Sequence, residues 1–375
     1  MTTVALMANS LHYPEGGGHR WVYLNWALGF RSIGCDVLWV EWADPRRLRG
    51  DFGKHIAALE AHLKPYGLAD RVALLGGPLA DTPAGVGSAS MDGESLAAHA
   101  DVLVNFVYEL PANLIRRFRR SALVDIDPGL LQTWMAQGYL AVTPHDLHFT
   151  IGETVGTPLA LFPDAGLRWI YTPACVSLDA WPADGAVAGA PFTTVTHWFS
   201  GEWVNDRTGW YLNDKRTGFQ PFLDLPAHVS QRLELALHGN TPDDATELEA
   251  LGWRVRKSFD VASTPWDYQS FIRASRGEFS CVKPSYLRLQ SAWISDRTLC
   301  YLASGRPAIV QHTGPSRILP ENRGLLRFTD LETAARYLKE ADDNYDEHRR
   351  AARMLVEEHF DARHVARRLL EHALA

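Results

Sequence analysis

The chain alternates short apolar runs with helix-length segments, and it does so twice. The first series is "TVALMA" (3–8), "DVLWVEW" (36–42), "RVALLGG" (71–77), "DVLVNFV" (101–107), "SALVDID" (121–127), "DLHFTIG" (146–152) and "LRWIYTP" (167–173). Continuous apolar strands separated by helices are what a parallel sheet covered on both faces requires. The stretch "AWPADGAVAGAP" (180–191) then breaks the rhythm, small and Pro-flanked as a linker should be. Six further runs follow: "FTTVTHWF" (192–199), "LELALHG" (233–239), "WRVRKSF" (253–259), "GEFSCV" (277–282), "PAIVQHTG" (307–314) and "GLLRFT" (324–329). From 331 to 374 the sequence is almost wholly helix-forming, with a break at "HFDARH" (359–364). A length of 375 residues agrees with two cores, since single cores stop growing near ~250–300 residues. The expectation is α/β, two doubly wound Rossmann-like domains at 1–183 and 190–345, with C-terminal helices at 346–375. In such sheets ligands bind beyond the carboxyl ends of the strands, so the natural site is the cleft between the two.

Composition narrows the functional classes. A formal charge of −7 argues against a general binder of nucleic acid or anionic membrane, leaving a local basic groove open. The four cysteines, Cys35, Cys175, Cys281 and Cys300, form no C-x-x-C pair and read as buried thiols of a reducing compartment. No signal-peptide pattern and no run of 18 apolar residues is visible, which predicts a cytoplasmic protein without integral membrane contact.

Two stretches carry the candidate chemistry. In "HYPEGGGHRWVYLNW" (12–26) three glycines follow the first strand and open the first helix. Bare backbone N–H groups at a helix N-terminus favour an anion, and missing side chains let a ligand come close. Gly17 and Gly18 are therefore candidate donor contacts, with His19 next to them. A dinucleotide fingerprint, Gly16-x-Gly18 with Glu41 on the second strand, is the weaker reading, because Trp21 occupies the third glycine position and the loop 9–18 is too long. In "SAWISDRTLCYLASGRPAIVQHTG" (291–314), Ser295 is a plausible N-cap, Asp296, Arg297 and Thr298 begin a helix, and Gly305 and Pro307 end it. An N-cap serine, free helical N–H groups and an arginine suit a diphosphate; simple capping with a surface arginine is the competing account.

This block resembles the donor-binding segment of bacterial GT-B glycosyltransferases, where a helix ending in small-x-Gly-x-Pro leads into an apolar strand. "RASRGEFSCVKPSY" (273–286) resembles the strand and loop before it. With "GGGHRWVYLNWALGFRSIGCDVLWVE" (16–41) and "HDLHFTIGETVG" (145–156), the likeness extends over nearly the whole chain, to a group-1-like branch of those enzymes. The resemblance implies a nucleoside diphosphate sugar as co-substrate, held mainly by the C-terminal domain, an acceptor (small molecule or glycan) held by the N-terminal one, and no cofactor. It also implies a last helix that crosses back to the N-terminal domain. Cys300 stands where many members carry a ribose-binding glutamate, and Asp296, one turn earlier, is the substitute. Glu278-Phe279-Ser280 only approximates the Glu-x-Phe-Gly element of several retaining members. By likeness to the first loop of inverting members, including the cell-wall N-acetylglucosaminyltransferase that completes lipid II, His19 is the base or a ligand of donor or acceptor; a histidine that hydrogen-bonds its own loop is the alternative.

Other candidates are Lys283, just past a strand of the second domain and well placed for the donor, and Lys215 with Arg216 in "LNDKRTGF" (212–219), expected after the first strand of that domain to meet the diphosphate, with a solvated loop as the alternative. Asp125 and Asp127 end an N-domain strand and are suited to orienting the acceptor or His19, with helix capping before Pro128 as the alternative. His145 and His148 invite a metal, but without a third ligand a local hydrogen-bond set is the better account, and no metal is expected. Of the 13 tryptophans, Trp21, Trp26, Trp198 and Trp293 lie near the expected cleft, for stacking or simply as core. The reading is a glycosyl transferase that inverts, with His19 as base. A sugar-nucleotide 2-epimerase on the same fold and a non-catalytic nucleotide- or sugar-binding partner protein are the alternatives.

Overall fold

The computed structural model describes residues 1–42, 52–75, 93–185, 188–207, 209–320 and 322–375. Gly76 and Gly77 of the third apolar run, and Ala186 and Val187 of the linker, lie outside the described residues. The first half forms one parallel sheet from β1 (Thr3–Ala8), β2 (Asp36–Trp42), β3 (Val72–Leu75), β4 (Val102–Asn105), β5 (Ser121–Asp125), β6 (Leu147–Thr150) and β7 (Trp169–Tyr171). Their spatial order is β3-β2-β1-β4-β5-β6-β7. The strand order reverses between β1 and β4, which are paired in register from Val4↔Val102. A crevice opens beyond the carboxyl ends of those two strands, where doubly wound sheets place ligands.

The second half repeats the plan. Its strands are β8 (Phe192–His197), the hairpin β9 (Trp203–Asp206) and β10 (Gly209–Leu212), then β11 (Leu233–His238), β12 (Arg254–Lys257), β13 (Gly277–Ser280), β14 (Ala308–Gln311), β15 (Asn322–Arg323) and β16 (Leu325–Phe328). The sheet order is β12-β11-β8-β13-β14-β16-β15, parallel except for the two-residue edge strand β15. The hairpin β9–β10 stands apart from this sheet and was not anticipated. It places Lys215 and Arg216 after a hairpin rather than directly after the first strand of the domain.

One helix joins the halves. α1 (Gly17–Ser32) begins at Gly16 with no side-chain cap, and Gly34, at φ +86, follows its end, a conformation glycine adopts without strain. Its buried side includes Trp21, Tyr23, Leu24, Trp26 and Phe30, all part of one core with Leu299, Tyr301, Val365 and Leu369 from beyond the linker. The last helix, Ala362–Ala373, packs on α1, so the C-terminal segment crosses back to the first domain. A Cβ at Gly29 would stand 2.6 Å from the Ala362 carbonyl oxygen, which is why that crossing needs a glycine. Among the described residues no helix is long and apolar enough to cross a membrane.

Candidate functional site

The loop between β1 and α1 is held from below by Glu41 at the end of β2. Its buried carboxylate accepts from the Ser10 amide at 2.9 Å, the Leu11 amide at 3.1 Å, the Trp39 indole at 2.9 Å and the Ser10 hydroxyl. Glu41 thus anchors the first loop from inside the protein, an arrangement that leaves no ribose-binding role for it. Arg20, buried beside it, meets His62, and burial pulls the guanidinium down to about 10 against the opposing pull of Glu41.

The glycine triplet makes room for protein. A Cβ on Gly17 would overlap the Thr264 carbonyl oxygen, and one on Gly18 would stand 2.5 Å from the Tyr268 ring. Both neighbours belong to the second domain, and the Trp21 indole donates to the Pro265 carbonyl in the same seam at 2.8 Å. The side-chain space left open by Gly17 and Gly18 is therefore filled by the second domain, from residues as remote in sequence as Pro265 is from Trp21.

His19 faces the cleft instead. Its Nε2 lies 2.7 Å from the Asn9 carbonyl, which only accepts, so Nε2 carries the proton and Nδ1 is the ring's acceptor. The ring packs between Tyr13, at 4.6 Å between centroids, and Tyr23, edge-on at 5.3 Å. Burial holds the imidazole below its ordinary value, aided by Arg20 and opposed by the Asn9 carbonyl, so it is neutral at neutral pH. A cavity of about 470 Å³ opens here, lined by His19, Tyr23, Phe106, Tyr108, Asp127, Trp134 and Tyr139 among others.

Asp127 enters the same cavity. Its carboxylate accepts from Tyr108 at 3.0 Å and from Tyr286 of the second domain at 3.4 Å. Burial raises its pKa, with Lys283 pulling it back. It does not cap the helix Leu130–Ala136 with its side chain; Gln132 accepts from the Gly129 amide there, at 2.6 Å. Asp125 lies deeper, accepting from Gln132 and Thr150, each at 2.8 Å, and burial pushes it up to about 7.

Across the cleft the second domain offers a helix start. The helix Asp296–Ala303 is capped by Ser295, whose Oγ accepts from the Arg297 amide at 3.3 Å. Asp296 stands at its first position, pushed up to about 6 by burial against the pull of Arg297, and Asp127 is among the charges acting on it. Thr298 and Cys300 are buried, the latter 3.9 Å from the Asn25 amide of α1. Arg297 turns inward. It donates to Glu278 at 2.7 Å, to Ser280 at 2.7 Å and to the Val195 carbonyl at 3.0 Å, with side chains 11% and 0% exposed in the Arg297–Glu278 pair. The guanidinium offered to a diphosphate by the sequence is thus spent on Glu278, and Glu278 on it. Lys215 is also turned in: buried, it donates to the Cys281 carbonyl and is pulled down to about 7, by burial first and Arg297 second. Lys283 alone of the three cations reaches towards the cleft, paired with Glu202 at 3.0 Å.

The remaining candidates settle into structure. His145 joins the Thr143 carbonyl at 2.7 Å and the Asn105 amide at 3.0 Å, and accompanies His148, a local hydrogen-bond set. Among the described residues no cluster of three metal-ligating side chains exists. Trp21, Trp26 and Trp198 are core, while Trp293 stacks on Tyr286 at 4.1 Å and so braces a cleft residue. Sequence reasoning missed Tyr23, Tyr108, Trp134 and Tyr286. Tyr108 was accessible in principle, since it follows β4 at the point where the strand order reverses.

No family model and no curated protein matches the chain. Solved structures do match over its whole length. Anabaena Alr3699/HepE, solved with UDP and glucose, aligns at 13% identity over 99% of both chains with a TM-score of 0.60. An alpha-glucosyltransferase solved with UDP and a 13-mer DNA aligns at 11% identity over 100% of both, TM-score 0.58. AviGT4, a glycosyltransferase involved in avilamycin A biosynthesis, aligns at 14% identity over 100% of this chain and 97% of its own, TM-score 0.55. With two doubly wound domains, a cleft between them and a last helix that crosses back, the chain has the GT-B fold, and glycosyltransferases of that fold are among its structural neighbours.

Proposed function

We propose that the protein is a glycosyltransferase that moves a sugar from a nucleoside diphosphate donor to an acceptor seated in the cavity beside His19, with inversion. One observation carries the reading: a neutral histidine with its proton on Nε2 lines a cavity at the carboxyl edge of the first sheet of a GT-B fold, beside Asp127, which also accepts from Tyr286 of the second domain. The neighbours solved with UDP lend support to a nucleotide-sugar donor.

In this reading the diphosphate rests at the start of the helix Asp296–Ala303. The first-turn N–H groups and the positive end of the helix dipole meet it, and Lys283 adds the charge. Ser295 and Thr298 flank that start, and Asp296 accepts from the donor's ribose hydroxyls. Gly17 and Gly18, closed over by Thr264 and Tyr268, position His19 rather than touch the donor, and Arg297, Lys215 and Glu278 shape the helix start from behind. His19 Nδ1 accepts the proton of the acceptor hydroxyl as its oxygen attacks the anomeric carbon. The bond from that carbon to the diphosphate oxygen breaks, and the nucleoside diphosphate leaves with the electron pair. One displacement gives one inversion.

Release of nucleoside diphosphate from a panel of nucleotide sugars, dependent on added acceptor, tests the reaction, and NMR of the product's anomeric proton tests inversion. His19→Ala should lower turnover by about 10²–10⁴-fold while donor affinity stays within about twofold. Undiminished turnover at saturating acceptor removes His19 from the chemistry. Interconversion of the donor sugar without an acceptor replaces transfer with epimerisation.

A further inference from the structure

We infer that the cavity beside His19 selects an acceptor with a flat apolar body and a protonated amine; this rests on that cavity being the acceptor site of the proposed reaction. Its shape and chemistry supply the argument. Five aromatic side chains, Tyr23, Phe106, Tyr108, Trp134 and Tyr139, share a space of about 470 Å³, large enough for a two-ring molecule. Aromatic faces attract flat apolar bodies and, through their negative π-faces, cations.

Among the described residues no lysine or arginine lines the cavity, and Asp127 brings a carboxylate to its Tyr108 end. Arg20 is engaged with His62 and the loop carbonyls behind His19, and Lys283, which draws on Asp127, is shared with Glu202 at 3.0 Å on the diphosphate side of the cleft. Asp125 adds negative field at Tyr108 and Tyr286. Asp127 accepts two tyrosine hydroxyls, one on each oxygen, which leaves lone pairs for a further donor. An ammonium placed against Asp127 would compensate a half-buried carboxylate, whereas a carboxylate or phosphate placed there would meet its like charge. The amine therefore sits at the Asp127 end, the flat body lies among the rings, and the reacting hydroxyl points to His19.

Three indoles of one shape separate the terms: tryptamine (cation), tryptophol (neutral) and indole-3-propionate (anion), titrated calorimetrically at pH 7 without donor. Tryptamine should bind at least about tenfold more tightly than indole-3-propionate, with tryptophol between, and added salt should narrow the gap. Asp127→Asn should bring tryptamine to the level of tryptophol and leave tryptophol unchanged, and Trp134→Ala should weaken all three. Equal binding of the three, tightest binding of the propionate, no binding of any, or a uniform loss in Asp127→Asn each overturns the proposal. Because no donor is present, the titration stands or falls independently of nucleotide-sugar turnover, and turnover with an anionic acceptor would refute the selectivity while upholding the reaction.

Discussion

The two sheets end in the same cleft but present their polar groups differently. At the first sheet, His19 and Asp127 follow β1 and β5 and look into a cavity. At the second, Arg297 and Lys215 stand at equivalent sequence positions, near strand ends and helix starts, and look into the protein. The first edge thus keeps titratable groups where a proton can be exchanged. The second neutralises its cations internally and leaves backbone N–H groups and Lys283 towards the cleft. Being charge-poor at that edge suits an anion held mainly by helix geometry. Spacing finds the element that carries a site, but the direction of a side chain depends on what packs behind it.

The largest expected effect would break this contrast at Arg297. Removing the guanidinium leaves Glu278 buried without its partner, so Arg297→Ala should cost about 3–5 kcal/mol of stability in urea unfolding. Adding Glu278→Gln should restore much of it. An unchanged transition midpoint with a large loss of UDP affinity would show that the arginine serves the cleft after all.

Next in size is the seam that keeps the two edges facing. Gly17→Val would drive a branched side chain into Thr264 and should cost about 1–3 kcal/mol, with a larger radius of gyration in X-ray scattering. Gly185→Ala has open space around it and should stay within about 0.5 kcal/mol. Equal effects from the two substitutions would dismiss close approach as the reason for the triplet.

Lys215 sharpens the comparison through pH. Its pKa falls from 10.5 unfolded to about 7 folded, so the neutral amine is favoured in the native state. Stability from this group is complete above the unfolded value and is lost as pH falls through about 7. Between pH 7 and 10 the wild type should therefore gain stability by up to about 1.4 kcal/mol per pH unit relative to Lys215→Met. Parallel curves for the two proteins would mean that the lysine is solvated.

Much of this architecture is legible in the sequence, and the failures have physical causes. Strand positions follow from apolar runs, and the helix from Asp296 to Ala303 from Ser295 before it and Gly305 after it, because those signals are local. The hairpin β9–β10 escaped because "WVND" and "GWYL" are four-residue strands with Trp203 and Trp210 about 60% exposed, too short and too open for a burial pattern. The triplet signalled close approach correctly, but a ligand and a second domain ask the same thing of a glycine. Nothing near Gly17 in sequence names Thr264. Likewise "VDIDPG" flagged Asp127, whereas its partners Tyr108 and Tyr286 come from separate elements, one in each domain.

The central claim is that the first edge supplies a neutral imidazole as base, and the pH dependence of turnover tests it most directly. Burial lowers the His19 pKa, so kcat/KM should fall on the acid side with a single protonation below 6.5, and His19→Ala should lose that limb along with its rate. An acid limb that survives unchanged in His19→Ala would assign the proton transfer to another group and contradict the account.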